Sequence, residues 1–159
     1  MSKGRDNPKE TPKKISEKSL KGNKACIILT MRYKNAQKAI DWLCNAFSFE
    51  KHLIVNGENN TIAHAQLTYG NSMIMLSSEN ENEYGKLVKT PQSLNGNNTQ
   101  APYIVVDRID EHYAKAVAAG AEMLIDIKDE EYGGRGYTCR DTEEYIWSFD
   151  SYNPWAENE

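Results

Sequence analysis

The chain has 159 residues, 39% of them hydrophobic and 26% charged, with a formal net charge of −4. That length suits one domain with a real core, and the composition is that of an ordinary globular protein. No stretch approaches the ~18 consecutive apolar residues of a membrane span, and the opening segment lacks the apolar stretch of a secretory signal, so a cytoplasmic protein with no membrane partner is expected.

Charge is uneven along the chain. Residues 1–24 hold eight Lys or Arg against three Asp or Glu, net +5, which leaves eleven against twenty, net −9, for the remainder. With Pro8, Pro12 and few apolar residues, this lead segment is expected to be a disordered basic tail. It reads either as a solubilising extension or as an arm for an acidic partner. It carries no aromatics for base stacking, and the acidic body repels phosphate backbones, so nucleic acid is not expected as a partner. The three cysteines, Cys26, Cys44 and Cys139, have no metal-type spacing, and their odd number argues against a disulfide framework. They read as small buried apolar residues, with Cys26 the one to test for reactivity.

From Ala25 the pattern becomes that of a folded domain. Ala25 to Met31 is an apolar, β-branched run, read as a buried strand. Asn35 can cap a following helix whose inner face carries Ala36, Ile40, Leu43 and Phe47. Ser48–Val55 reads as a short strand, and Thr61–Tyr69 and Ser72–Ser77 flank Gly70-Asn71 as a two-residue hairpin. After a polar stretch the same β-α-β-β-β order returns. Tyr103–Val106 is a strand, Asp107 a candidate cap, and Ile109, Tyr113, Ala116 and Val117 a buried helical stripe. Gly120 sits where a left-handed helix end belongs. Glu122–Ile127, Tyr137–Arg140 and Tyr145–Asp150 complete the second set. The expected architecture is therefore α+β: a domain over 25–155 with module one at 25–78, a linker at 79–100 and module two at 101–152. The linker reads as either a flexible connection or a binding lid, with Leu87 and Val88 as its points of attachment.

Several runs carry a resemblance. Val106-Asp107 through Ala114–Ala121, then Tyr132–Asp141 with its Gly-Gly-Arg-Gly, then Tyr145–Phe149, are similar to the second half of glyoxalase/bleomycin-resistance/dioxygenase proteins, the vicinal oxygen chelate group. Thr61–Leu67 with Met73–Ser77 resembles their first half. One departure is plain: the usual Asp-Pro-x-Gly of the last hairpin is replaced by Asp141-Thr142-Glu143-Glu144. The resemblance implies two βαβββ modules curled into a cup with helices outside, and a homodimer whose modules pair within or between chains. It also implies four divalent-metal ligands from the first and fourth strand of each module. Here those positions fall on Ile28, Met75, Ala101 and Ser148, which offer at best a thioether and a hydroxyl, so no metal and no cofactor are expected.

The hairpin pairs Thr68 with Met73, Gln66 with Met75 and His64 with Ser77. By alternation the cup is expected to be lined by Ile28, Thr30, His64, Gln66, Met73, Met75, Tyr103 and Ser148, with Cys26, Thr68, Ser77, Val105, Ile146 and Asp150 on the same faces, while Trp147 and Phe149 face the helices. His64 is the one catalytic candidate, a general base or ligand partner, or else a histidine satisfied by a neighbouring hydroxyl. His52 and His112 are expected to face solvent. Arg135, in its glycine-rich loop, is either a flap residue gripping an anionic ligand or the partner of an acidic neighbour. Tyr137 is expected to stack over the cup mouth. Tyr152 and Trp155 could stack on a ligand, a second subunit or the chain's own sheet edge. These readings lead to a metal-free binding protein for a small organic molecule, and the resemblance makes it an expected homodimer. The alternative is a glyoxalase-like lyase or isomerase, either metal-free with His64 as acid–base or with an unorthodox metal site. A third reading is an interaction module using the basic tail.

Overall fold

A computed structural model describes residues 26–156. The basic segment 1–24, with its expected disorder, lies outside them. Two four-stranded sheets each carry one helix. Module one runs β1 (Leu29–Tyr33), α1 (Ala36–Phe47), β2 (Glu50–Asn56), β3 (Ile62–Tyr69) and β4 (Ser72–Ser78); module two runs β5 (Tyr103–Val105), α2 (Ile109–Ala118), β6 (Glu122–Asp129), β7 (Arg135–Arg140) and β8 (Ile146–Asp150). The strand orders are the same, β1-β4-β3-β2 and β5-β8-β7-β6, with the first strand parallel to the fourth and the other pairs antiparallel. This is the doubled βαβββ arrangement. Among the described residues no helix is long and apolar enough to cross a membrane.

Helix α1 begins where Asn35 Oδ1 accepts the Lys38 amide at 3.1 Å, and it ends at Ser48 in the left-handed conformation. Its buried face is Ala36, Ala39, Ile40, Leu43, Ala46 and Phe47, the spacing of one helical stripe. Helix α2 departs from expectation at both its cap and its stripe. Arg108, not Asp107, holds the cap position and makes no side-chain cap bond. The inward face is Ile109, His112 and Ala116, while Val117 is 47% exposed. The 3–4 spacing from Ile109 passes through His112, and a polar side chain was accepted there because it finds two partners inside. Gly120 closes the helix at φ +83°, as its lack of a Cβ permits.

The two modules share one core. Phe47, from the end of α1, lies 5.4 Å from Trp147 and 4.7 Å from Phe149 of β8. Phe49 meets Trp147 at 5.8 Å. Across the helices, Trp42 Nε1 donates to the Ala119 carbonyl at 2.8 Å, and Lys115 Nζ to Ser48 Oγ at 2.6 Å. Each sheet therefore presents its helix-covered convex face to the other module. The opposite faces, which the resemblance makes the concave ones, turn away from this core.

The altered β7–β8 turn reaches across to module one. Asp141 is 7% exposed and accepts Tyr33 Oη at 2.6 Å and Trp147 Nε1 at 3.1 Å. Its other oxygen accepts the amides of Glu143 and Tyr145. Glu143 accepts the amides of Lys34 (2.7 Å) and Asn35 (2.8 Å), just ahead of α1. Glu144 carries φ +70°, a backbone state disfavoured for residues with a Cβ. Glu144→Gly is accordingly expected to raise stability by about 1 kcal/mol in urea unfolding.

Candidate functional site

The concave face of module one follows from register. Gly70 at φ +53° and Asn71 make the tight turn, and Thr68 pairs with Met73 and Gln66 with Met75 as the sequence implies. The neighbour of Met75 on β1 is Thr30. In module two the neighbour of Ser148 on β5 is Tyr103. Ile28 precedes β1 and is 36% exposed, and Ala101 precedes β5, so within the sheets the residues beside Met75 and Ser148 are Thr30 and Tyr103. The cause is that β1 starts at Leu29, later than its apolar run: Ile27 is fully exposed and Cys26 is exposed as well, not buried.

His64, Gln66, Met73 and Met75 are half-buried on this face. His64 Nε2 lies 3.2 Å from Gln66 Nε2, two residues along the same strand. Because an amide nitrogen only donates, this places the imidazole lone pair on Gln66. The partner is a neighbouring amide, not the hydroxyl across the sheet that one of the two open readings of His64 supplied. Among the described residues His64 has no carboxylate partner to orient it as a base.

Two cavities border the concave faces. One, of about 140 Å³, lies between β1 and the inter-module segment and is lined by Leu29, Thr30, Arg32, Val88, Leu94 and Pro102 among others. Tyr84 of that segment closes one side, its hydroxyl 3.2 Å from Thr30 Oγ1 and its ring 4.9 Å from the Arg32 guanidinium. The segment is anchored by Thr90 and Pro91, both buried, and by Asn98, which bonds the Glu144 carbonyl and the Ile146 amide. Val88 lines the cavity, while Leu87 is 80% exposed. The other cavity, of about 230 Å³, belongs to module two and holds Tyr103, Tyr132, Thr138, Ser148 and Asp150. There Thr138 and Ser148 share a hydrogen bond at 3.0 Å, and the buried Asp150 accepts Tyr132 Oη at 3.2 Å and the Tyr152 amide at 2.7 Å. Burial and then the Asp150 carboxylate push the Tyr103 phenol up to about 12, so it is a neutral donor at physiological pH. Neither cavity brings the Thr30–Met75 pair together with the Tyr103–Ser148 pair.

The sequence profile of the glyoxalase/bleomycin resistance protein/dioxygenase superfamily matches residues 28–149. The chain belongs to this superfamily. An uncharacterised Mycobacterium bovis protein is 28% identical over 114 residues, 72% of this chain and 74% of its own. A Mycobacterium tuberculosis counterpart, also uncharacterised, matches at 28% over 66% of its length. Among solved structures, TioX from Micromonospora sp. ML1 superposes with a TM-score of 0.64 at 27% identity, over 79% of this chain and 97% of that one. The fosfomycin resistance protein FosX from Mesorhizobium loti gives 0.57 at 10% identity over 83% and 95%. FosX from Listeria monocytogenes, in a complex with Mn(II), gives 0.56 at 16% identity over 83% and 93%. The FosX likenesses establish the fold alone.

At the positions the resemblance gives for the superfamily's metal ligands, Ile28, Met75, Ala101 and Ser148, the only donors are a thioether and a hydroxyl, and the strand neighbours Thr30 and Tyr103 add a hydroxyl and a phenol. None is a carboxylate or imidazole, and neutral hydroxyls and a thioether do not fit a hard divalent ion or zinc. Among the described residues no group of three or more His, Cys, Asp or Glu is placed to hold one.

Two other expected site residues, Arg135 and Tyr137, land elsewhere, and His112 is not where it was expected. Arg135 is bound to Asp110 at 3.0 Å and Asp129 at 3.1 Å, the paired reading rather than the flap. Its flanking glycines serve packing, since a Cβ on Gly134 would come within 2.6 Å of the Asp150 carboxylate. Tyr137 is 3% exposed and its hydroxyl lies 2.7 Å from His112 Nδ1. It sits on the convex side because Thr138, its neighbour in the strand, pairs with Ser148 on the concave one. His112 is 5% exposed, not solvent-facing, with Nε2 donating to the Phe47 carbonyl at 3.0 Å. Tyr152 packs against Tyr132, and Trp155 is 91% exposed. Asp150 lines the module-two cavity, on the face that alternation from Ser148 gives it; Arg32 was within reach of the same alternation from Thr30, and Tyr84 was not, because the inter-module segment has no periodicity to read.

Proposed function

We propose that this chain is a cytoplasmic, metal-free binding protein that holds a small organic molecule on its concave faces, in a cup completed by a second copy. What supports the reading is the donor set: at Ile28, Met75, Ala101 and Ser148, and at their strand neighbours Thr30 and Tyr103, the side chains offer hydroxyls and a thioether but no carboxylate or imidazole, and the nearby His64 imidazole is hydrogen-bonded to an amide. Half-apolar walls with a few placed polar groups suit an organic ligand. Homodimerisation is supported by the back-to-back packing of the modules. With Thr30 and Tyr103 both exposed on faces turned from the shared core, a closed cup needs module two of a partner against module one.

The test is elemental analysis of untagged protein together with sedimentation. Dimers free of stoichiometric divalent metal are expected. A stoichiometric divalent metal that survives dialysis would overturn the metal-free reading, and a purely monomeric species that still binds ligand would overturn the shared cup.

A further inference from the structure

Arg32 is the one arginine among the described residues that has no carboxylate partner. Arg108 pairs with Glu111, Arg135 with Asp110 and Asp129, and Arg140 with Glu122. Neither Arg32 nor Lys89 takes part in any ion pair among the described residues. In a chain with 23 acidic residues partners are plentiful, so an unpaired, half-buried guanidinium is informative. Arg32 Nη1 donates to the Met31 carbonyl at 3.2 Å and the guanidinium lies over Tyr84, but its Nε is buried and bonded to nothing. A cation held in place by an aromatic face and a carbonyl, with donors left over, is prepared for an oxyanion.

The space beside it fits. The cavity of about 140 Å³ has Lys89 and the Thr30 hydroxyl near Arg32, and Leu29, Val88, Leu94 and Pro102 as apolar wall. That is room for an acid group and several attached carbons. Glu79 and Glu81 border the adjoining groove and leave Arg32 without an ion pair.

We propose that Arg32, assisted by Lys89, receives the oxyanion of the ligand, a carboxylate or phosphate on an apolar body, beneath the inter-module segment, with Tyr84 as its buttress. This rests on the binding reading above and narrows the ligand to acids.

Calorimetric titration at low ionic strength with sodium benzoate, inorganic phosphate and benzyl alcohol tests it. The full chain is compared with Arg32→Met, which keeps the apolar stem, and Lys89→Met on the exposed segment; thermal melts confirm that both fold. The wild type is expected to bind at least one anion, and the one it prefers tells carboxylate from phosphate. Arg32→Met should weaken that binding by about tenfold or more and Lys89→Met by roughly threefold, the loss of charge-assisted hydrogen bonds and of a nearby charge. Anion binding unchanged in Arg32→Met, or no binding of either anion by the wild type, overturns the proposal. Benzyl alcohol separates the failures: if it alone binds, the protein is still a binder of organic molecules but not of acids, and if none of the three binds, both readings fall. A shift in sedimentation for Arg32→Met with anion affinity intact would make Arg32 an interface residue and also overturn it.

Discussion

Asp141→Ala is expected to destabilise the fold by about 3–5 kcal/mol, among the largest effects of any single change in the chain. The carboxylate is buried and serves four donors: Tyr33 Oη and Trp147 Nε1 on one oxygen, the Glu143 and Tyr145 amides on the other. Tyr33 is fully buried in module one and Trp147 in module two, so removing Asp141 strands donors on both sides of the junction. Burial pushes the Asp141 carboxyl above the usual carboxylate range, against the pull of those four hydrogen bonds. Burial, with the neighbouring Asp141 charge, likewise raises the Tyr33 phenol. Urea unfolding of Asp141→Ala beside Thr142→Ala, an exposed neighbour in the same turn, checks the expectation. A loss under about 1 kcal/mol for Asp141→Ala would show that the junction does not depend on this group.

The second large effect is a pH dependence centred on His112. Its Nε2 must carry the proton, because the Phe47 carbonyl only accepts, and its Nδ1 lone pair then receives Tyr137 Oη. This neutral tautomer is satisfied on both sides. Protonation would place a second N–H against the phenol and a charge among Phe47, Phe149 and Tyr137. Burial accordingly lowers the His112 pKa below its ordinary 6.5, outweighing the carbonyl hydrogen bond that raises it. The folded state therefore resists a proton that the unfolded chain takes up. The stability contributed by this group is complete above about pH 6.5, declines as pH falls below it, and reaches its floor below the depressed folded value. His112→Ala should cost about 2–4 kcal/mol at neutral pH through the cavity and the orphaned partners, and should flatten the profile between pH 7 and 5. Denaturation midpoints across that range, in wild type and variant, provide the measurement; an equal slope in both would assign the dependence to other groups.

The two polar centres explain which parts of the fold were legible beforehand. Element order, the hairpin at Gly70-Asn71, the Asn35 cap and the inward Trp147 and Phe149 follow from local pattern, because period and turn chemistry are properties of a few neighbouring residues. His112 was not legible, because a histidine at a helical core position reads as exposed until its partners are known, and both come from elsewhere: Phe47 lies 65 residues away and Tyr137 lies 25. The Asp141–Glu144 turn showed only what it lacked. Its gain, a carboxylate that ties β8 to β1 and another that holds the entry to α1, spans more than 100 residues of chain.

The amino-acid sequence by itself determined the doubled module and, through side-chain chemistry that no packing can change, the absence of carboxylate or imidazole at Met75 and Ser148. Tertiary structure decided where β1 and β5 begin, and so which residues, Thr30 and Tyr103, lie beside Met75 and Ser148. It also turned the concave faces outward and brought Tyr84 over Arg32. The physical reason is that alternation specifies which face a residue takes but leaves its position along the strand to the neighbouring strand's register, and that register is set by contacts between residues far apart in the chain.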